Sequence, residues 1–141
     1  MRRYGPAVLA YVVPTFLLGF VWHLVLFERN YTALQIYRDQ IIIPFGFLSM
    51  LIQGVIFAWI YDRSFAQGTG RFAARSVAYG VVGATLSWSF TTLAVAAKNQ
   101  MASVSDYLLI ETAFTLVQWL MVAPLTVLTF GGFSPEPSRT K

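Results

Sequence analysis

Four strongly polar side chains lie inside long apolar stretches of this sequence, where a polar group is costly and by default suggests a function. They are His23, Gln53, Glu111 and Gln118. His23 lies near the end of one stretch and Glu111 near the start of another, so as membrane helices both would lie roughly 6 Å inside the same boundary at 1.5 Å per residue. A histidine beside a carboxylate can exchange a proton at ordinary pH, which makes this pair a candidate site.

The two glutamines are expected together in a second layer, near the middle of their stretches. On the fourth apolar stretch, Glu111, Thr115, Gln118 and Trp119 share one helical face, and on the first stretch Trp22 shares a face with His23. The candidate ligand or proton site therefore comprises His23, Glu111, Gln53, Gln118, Trp22 and Trp119. The structural alternative stays open: the histidine and glutamate form a satisfied contact, and the glutamines join helices at about 1 kcal/mol each.

The sequence gives little support for a disulfide, a metal site, a catalytic nucleophile or a phosphate-binding loop. Cysteine is absent, which excludes disulfides, thiolate metal sites and thiol nucleophiles. Histidine and carboxylates do not have metal-ligand spacing, and neither a nucleophile elbow nor a glycine-rich phosphate loop occurs. Haem would need His23 from two copies, or Met50 as second ligand. We therefore predict a non-enzymatic protein with no catalytic residue, no bound metal and no cofactor.

The elements that must position these residues are four apolar segments of about 20 residues, the length needed to cross roughly 30 Å of hydrocarbon. The chain is 57% hydrophobic and 11% charged, whereas soluble domains typically carry about 25% charged residues. We predict an all-α transmembrane four-helix bundle that forms a single domain over residues 1–130, followed by a flexible C-terminal tail at 131–141. The predicted spans are 7–27, 41–61, 77–97 and 108–130.

Charge distribution predicts the orientation of these spans. Seven of the ten lysines and arginines fall on the side that holds both termini and the loop at 62–76, and three fall on the other side. Because lysine and arginine are retained on the cytoplasmic side, both termini should be cytoplasmic. The net charge of +4 lies at membrane edges rather than in one run, which favours contact with membrane lipids and argues against nucleic acid.

Small residues predict how the helices pack. In the third segment Gly80, Gly83, Ala84 and Ser87 form overlapping rows that permit close approach of two helices. We expect this helix to lie centrally against a neighbour, with a self-association face between protomers as the alternative. In the loop at 28–40, Tyr31, Leu34 and Tyr37 have helical spacing and predict a short helix.

Several segments together resemble a group of small uncharacterised bacterial four-helix membrane proteins. The likeness rests on Gly19-Phe-Val-Trp-His23, on Phe27 and Tyr31, and on Met50 through Ala58-Trp-Ile-Tyr-Asp-Arg63. It implies the four-helix fold and a multi-pass location in a bacterial inner membrane, but no mechanism. Length and span count are also similar to those of small multidrug-resistance transporters, which carry a membrane glutamate in the first helix. This chain has His23 there and its glutamate in the fourth helix, so we reject that family.

Two main hypotheses follow for the function. The first is a non-enzymatic integral membrane protein that binds a partner membrane protein, a second copy of itself, a lipid or a small apolar ligand. The alternative is a small proton-linked transporter that uses His23, Glu111, Gln53 and Gln118. A third, a cytochrome-like haem subunit, depends on the ligands described above.

Overall fold

The computed structural model describes residues 3–38, 40–67 and 70–131, and every regular element in these ranges is a helix. Two short π-helical segments, each with a wider turn than an α-helix, interrupt the pattern. The first, Trp22–Leu26, continues α1, and the second, Trp88–Leu93, joins α4 to α5. The α-helices are α1 (Tyr4–Val21), α2 (Glu28–Leu34), α3 (Ile43–Ser64), α4 (Phe72–Ser87), α5 (Ala94–Lys98) and α6 (Val104–Thr129).

Four of the helical stretches are long and apolar enough to cross a membrane, as the sequence predicts. They are Tyr4–Leu26, Ile43–Ser64, Phe72–Lys98 and Val104–Thr129. Half of their eight ends lie three to five residues outside the predicted bounds, and the other four differ by one or two residues. Where a helix is longer than predicted, helical hydrogen bonding continues past the apolar residues into the flanking sequence. The predicted flexible tail at 131–141 lies, apart from Gly131, outside the described residues.

The short helix predicted at 28–40 is present as α2, but it is shorter than its aromatic spacing indicates. It ends after Leu34 because Gln35 adopts a left-handed conformation with φ of 56°, and its N–H bonds back to Thr32 O. Tyr37 therefore lies outside the helix. We refer to the end of the molecule formed by residues 27–38, 40–42 and 99–103 as the α2 end, and to the opposite end as the terminal end.

Helix α6 is the most buried of the four long helices, and it contacts both α1 and α4, while α1 contacts α3. Its buried face is unusually wide, since it includes Glu111, Gln118 and Trp119. The expectation of a central third span was therefore wrong. Small residues predict which helix approaches a neighbour closely, whereas the number of neighbours depends on the width of the buried face.

The four small residues of α4 pack within the chain. A Cβ on Gly83 would overlap the Trp119 indole ring, and one on Gly80 would lie 3.2 Å from Ala123 Cβ. Ser87 Oγ accepts a hydrogen bond from Trp119 Nε1 at 3.0 Å, and Ala84 packs against the main core. The row of small residues therefore serves the α4–α6 contact.

The wide turns of the two π-helical segments affect the position of a histidine side chain and the hydrogen bonding of a backbone carbonyl. In the first, the N–H of Phe27 donates to Trp22 O, five residues back, and His23 lies inside this wide turn. In the second, Thr91 O accepts a hydrogen bond from Tyr107 Oη at 3.0 Å. Short π-helical insertions of this kind are common at functional sites.

The contact between Gly83 and Trp119 leads to a stability prediction. Gly83→Ala should lower the free energy of unfolding by about 1–3 kcal/mol, because the added methyl group displaces the indole from a packed core. Gly46→Ala is the matched control, since a Cβ at Gly46 meets nothing within 4 Å. It should leave stability unchanged or raise it by up to about 1 kcal/mol through helix propensity. Reversible unfolding in mixed micelles measures both, and equal stabilities would contradict the packing described here.

Candidate functional site

A cavity of about 790 Å³ lies between α3 and the end of α4 with the π-helical segment that follows it, and residues of α1 and α6 line the wall opposite. We call it the α3–α4 cavity. All four of the polar residues that the sequence singles out line it, namely His23, Gln53, Glu111 and Gln118. Most of the remaining wall is apolar and includes Phe16, Phe20, Phe47, Phe57, Phe90 and Phe114.

The cavity reaches the surface of the molecule towards the α2 end. Near the terminal end α3 and α4 are in contact, where Tyr79 Oη donates to Phe57 O at 3.1 Å. Closer to the α2 end, the lining residues Ile43, Phe47 and Phe90 are 64%, 44% and 70% exposed. The opening is therefore bordered by apolar side chains of α3 and of the second π-helical segment.

The first polar layer is a contact among three side chains from three elements. Glu111 Oε1 of α6 accepts a hydrogen bond from Tyr31 Oη of α2 at 2.5 Å. The same oxygen lies 3.3 Å from His23 Nε2, in the first π-helical segment. The pairing of His23 with Glu111 that the sequence suggests is thus present. Only 10% of the Glu111 side chain and 22% of the His23 side chain are exposed.

The position of the histidine proton follows from the other ring nitrogen. His23 Nδ1 lies 2.8 Å from Gly19 O, and because a carbonyl oxygen can only accept, Nδ1 must donate. In a neutral imidazole Nε2 would then carry a lone pair, which would face a carboxylate oxygen. The contact is attractive only when a proton lies between Nε2 and Oε1, on either atom. As a hydrogen bond, this contact therefore requires one proton that the two groups share.

Two tyrosines outside the long helices surround this layer. Burial, followed by the hydrogen bond to Glu111, raises the pKa of Tyr31 well above its usual value, so its hydroxyl remains a donor at physiological pH. Burial, and to a lesser degree the charge of Glu111, also raises the pKa of Tyr37, whose ring stacks on that of Tyr31 at 5.3 Å. Both side chains are neutral neighbours of the carboxylate.

The second polar layer joins the two glutamines through a tyrosine. Tyr11 Oη donates to Gln53 Oε1 at 2.7 Å. Gln118 Nε2 donates to Tyr11 Oη at 3.4 Å and to Thr15 Oγ1 at 3.1 Å. Gln53 Nε2 donates in turn to Ser49 Oγ. This layer links α1, α3 and α6, and its polar groups largely satisfy one another.

The two predicted tryptophans do not line the cavity. Trp22 packs against Phe27 and Phe114, with ring centroids 4.6 and 5.9 Å apart. Trp119 packs in the core between α6 and α4, as described above. Each tryptophan shares a helical face with a site residue. Each of these faces is wide enough for its tryptophan to pack against side chains other than those that line the cavity.

Two residues of the site were missed in the sequence. The sequence predicts Tyr31 only as part of a short helix, yet its side chain is buried and bonds to Glu111. Tyr11 received no role, although it lies one helical turn from Thr15 and joins the two glutamines. The available signal for Tyr11 was this i, i+4 spacing.

Among residues 3–38, 40–67 and 70–131, the structure contains no group of three histidines or carboxylates able to hold a metal ion. The same ranges contain His23 as their one histidine, so a haem with two histidine ligands would require a second copy. The polar residues on the cavity wall are instead suited to binding a ligand and to exchanging a proton.

No family model, curated protein or solved structure matches this chain.

The hydrogen bond from Tyr31 to Glu111 gives a second prediction. Tyr31→Phe should lower the free energy of unfolding by about 1.5–3 kcal/mol, because it removes a donor to a buried charged group. Tyr107→Phe is the matched control, since its hydroxyl donates to a neutral backbone carbonyl, and it should cost about 0.5–1.5 kcal/mol.

A double-mutant cycle of Tyr31→Phe with Glu111→Gln isolates the pair. We expect a coupling energy of at least about 1 kcal/mol. Additive effects of the two substitutions would show that the hydroxyl and the carboxylate do not interact.

Proposed function

We propose that this chain is a multi-pass protein of a bacterial inner membrane, folded as a four-helix bundle, that binds a small lipid-soluble ligand in the α3–α4 cavity. One observation carries the proposal: His23, Gln53, Glu111 and Gln118 line a single cavity whose other walls are mainly apolar. Ligand sites are typically apolar cavities of about 300–1,000 Å³ with a few convergent polar groups, and this cavity fits that description.

The surface of the molecule supports the membrane location. Large apolar side chains are exposed along all four long helices, including Leu17, Phe45, Val77 and Leu120. A surface of this kind is stable in lipid and would aggregate in water. The positive-inside rule then assigns the terminal end to the cytoplasm, so the cavity opens in the half of the bilayer away from the cytoplasm.

The route into the cavity supports a lipid-soluble ligand. The opening lies between α3 and the second π-helical segment and is bordered by the exposed side chains of Phe47 and Phe90. In a bilayer these side chains face hydrocarbon, so a molecule dissolved in the membrane enters without crossing a polar barrier. The resemblance to small uncharacterised bacterial four-helix membrane proteins is compatible with this proposal and adds no ligand to it.

A proton-linked carrier is the second candidate function. It is favoured by the contact between His23 and Glu111, whose hydrogen bond requires a shared proton and which lies on the wall of the same cavity. For this function, His23→Ala and Glu111→Gln should each abolish proton-coupled flux in liposomes while the protein remains folded.

The orientation can be tested by labelling, because the chain contains no cysteine. We expect an impermeant maleimide to label a Gln100→Cys variant in intact cells. A Gln67→Cys variant, in the connection between α3 and α4, should be labelled only after the membrane is opened. Labelling of both residues from the same side, or the reverse pattern, would contradict the proposed topology.

Ligand binding can be tested by filling the cavity. Gly46 lines the cavity, and a Cβ added there meets nothing within 4 Å, so Gly46→Leu should occupy ligand space without straining α3. We expect native mass spectrometry of the wild-type protein, released from its membrane, to show a bound small molecule. The occupancy should fall at least tenfold in Gly46→Leu, with stability unchanged or slightly raised.

The matched control is Leu109→Phe, which adds bulk to a side chain that is 74% exposed and lies outside the cavity. It should retain the ligand. Equal occupancy in all three proteins, or an empty wild type, would overturn the proposal. An added mass of protein size in its place would show that a partner membrane protein or a second copy fills the opening.

A further inference from the structure

The proton shared by His23 and Glu111 determines the charge on the wall of the α3–α4 cavity. With the proton present, the pair is neutral overall, as imidazolium and carboxylate or as imidazole and carboxylic acid. Without it, an uncompensated carboxylate remains on an apolar wall, facing the lone pair of Nε2. Breaking a buried ion pair in this way is strongly unfavourable. Loss of the proton is therefore favoured when another positive charge reaches Glu111.

We propose that the ligand of the α3–α4 cavity is a lipophilic cation that exchanges with this proton one for one at Glu111, an inference that rests on the proposed ligand-binding function. In the exchange, the proton shared by Nε2 and Oε1 passes to water and the imidazole becomes neutral. The charged group of the ligand then compensates the carboxylate. No covalent bond forms to the ligand, and the net charge of the cavity stays constant.

The surroundings of the pair suit a cation. The imidazole ring of His23 already lies between two aromatic rings, with centroids 4.7 Å from Tyr31 and 4.8 Å from Phe114. Further phenylalanine rings line the path to the opening, including Phe20, Phe47 and Phe90. Aromatic faces stabilise cations by about 0.5–2 kcal/mol each, more when water is excluded.

The remaining charged and titratable neighbours do not compete for this role. Tyr31, on α2, donates its hydroxyl hydrogen to Glu111 and stabilises the carboxylate in both states. Tyr37, after α2, and Tyr107, on α6 itself, are neutral, and the hydroxyl of Tyr107 is bonded to Thr91 O. Arg38 lines the cavity but is exposed, so solvent and salt screen its repulsion of an entering cation.

Glu111 is also the only carboxylate on the cavity wall among the described residues. A cation therefore has a single site for its charge, whereas an anion would add a second negative charge beside it. A neutral ligand would leave the proton in place, and its binding would not depend on pH.

Three probes of similar shape separate these possibilities: tetraphenylphosphonium, the anion tetraphenylborate and neutral triphenylphosphine oxide. The protein is embedded in nanodiscs of zwitterionic lipid, and empty nanodiscs give the baseline. We expect tetraphenylphosphonium to bind and to release about one proton per ion into weakly buffered solution. Its affinity should rise with pH, by up to about tenfold per pH unit, because protons compete for the same carboxylate.

Glu111→Gln should lose at least tenfold in affinity for tetraphenylphosphonium and all of the proton release. Glu28→Gln removes a carboxylate on the exposed start of α2 and should behave as the wild type. If Glu111→Gln fails to fold, proton release by the wild-type protein decides the question alone.

Binding of tetraphenylborate or triphenylphosphine oxide as tightly as the cation would overturn the cation proposal and leave the proposed ligand-binding function intact. Cation binding without proton release would also overturn the exchange. Failure of all three probes overturns it too, and the Gly46→Leu experiment then decides independently whether the cavity binds any ligand.

Discussion

A buried carboxylate sets the conditions for the rest of this structure. Glu111 lies within a membrane-length helix, almost fully shielded from solvent, where an isolated charge would cost several kcal/mol. Its stability depends on the donor from Tyr31 and on the proton shared with His23. Those partners come from α2 and from the segment that continues α1, so three elements must meet at one point. This requirement, together with the apolar cluster of Tyr31, Leu34 and Tyr107, holds α2 against the long helices.

The π-helical segments and the small residues of α4 make this meeting possible. The wide turn at Trp22–Leu26 carries His23, whose Nδ1 is anchored to Gly19 O within the same helix. That anchor orients Nε2 towards α6. On the other face of α6, Gly83 leaves room for Trp119 to reach α4. Helix α6 can therefore present a charged residue to α1 and a large ring to α4 without separating the helices.

The sequence predicts the depth of the site better than its lateral arrangement. His23 and Glu111 are equally far from the ends of their apolar segments, and helical rise alone is enough to bring them to the same level. The same argument places Gln53 and Gln118 in one deeper layer, and in the structure both layers line one cavity. Four apolar helices likewise follow from segment length, since a membrane leaves few alternatives.

Rotation about each helix axis is what the sequence leaves open. Trp22 and Trp119 share helical faces with site residues, but neither ring lines the cavity. A wide buried face contacts more than one neighbouring helix, so residues that share it can pack against different neighbours. Tyr31 was missed because its polar partner is 80 residues away, and spacing within α2 carries no information about α6. Tyr11 was missed because an aromatic residue in a membrane helix is read as apolar, although its hydroxyl joins the two glutamines.

The two polar layers differ in a way that separates structure from function within the same cavity. In the deeper layer Tyr11, Gln53, Gln118 and Thr15 are neutral, and each donates to or accepts from another. Such a layer holds α1, α3 and α6 together whether or not the cavity is filled.

The layer at the α2 end is different, because its hydrogen bonding is complete only when one proton is present. A neutral network resists change, whereas a pair that depends on a single proton has two states with different charge. The layer that contains His23 and Glu111 also lies closer to the opening of the cavity. An entering molecule therefore meets this charge-sensitive pair before it reaches the neutral glutamine layer that holds the helices together.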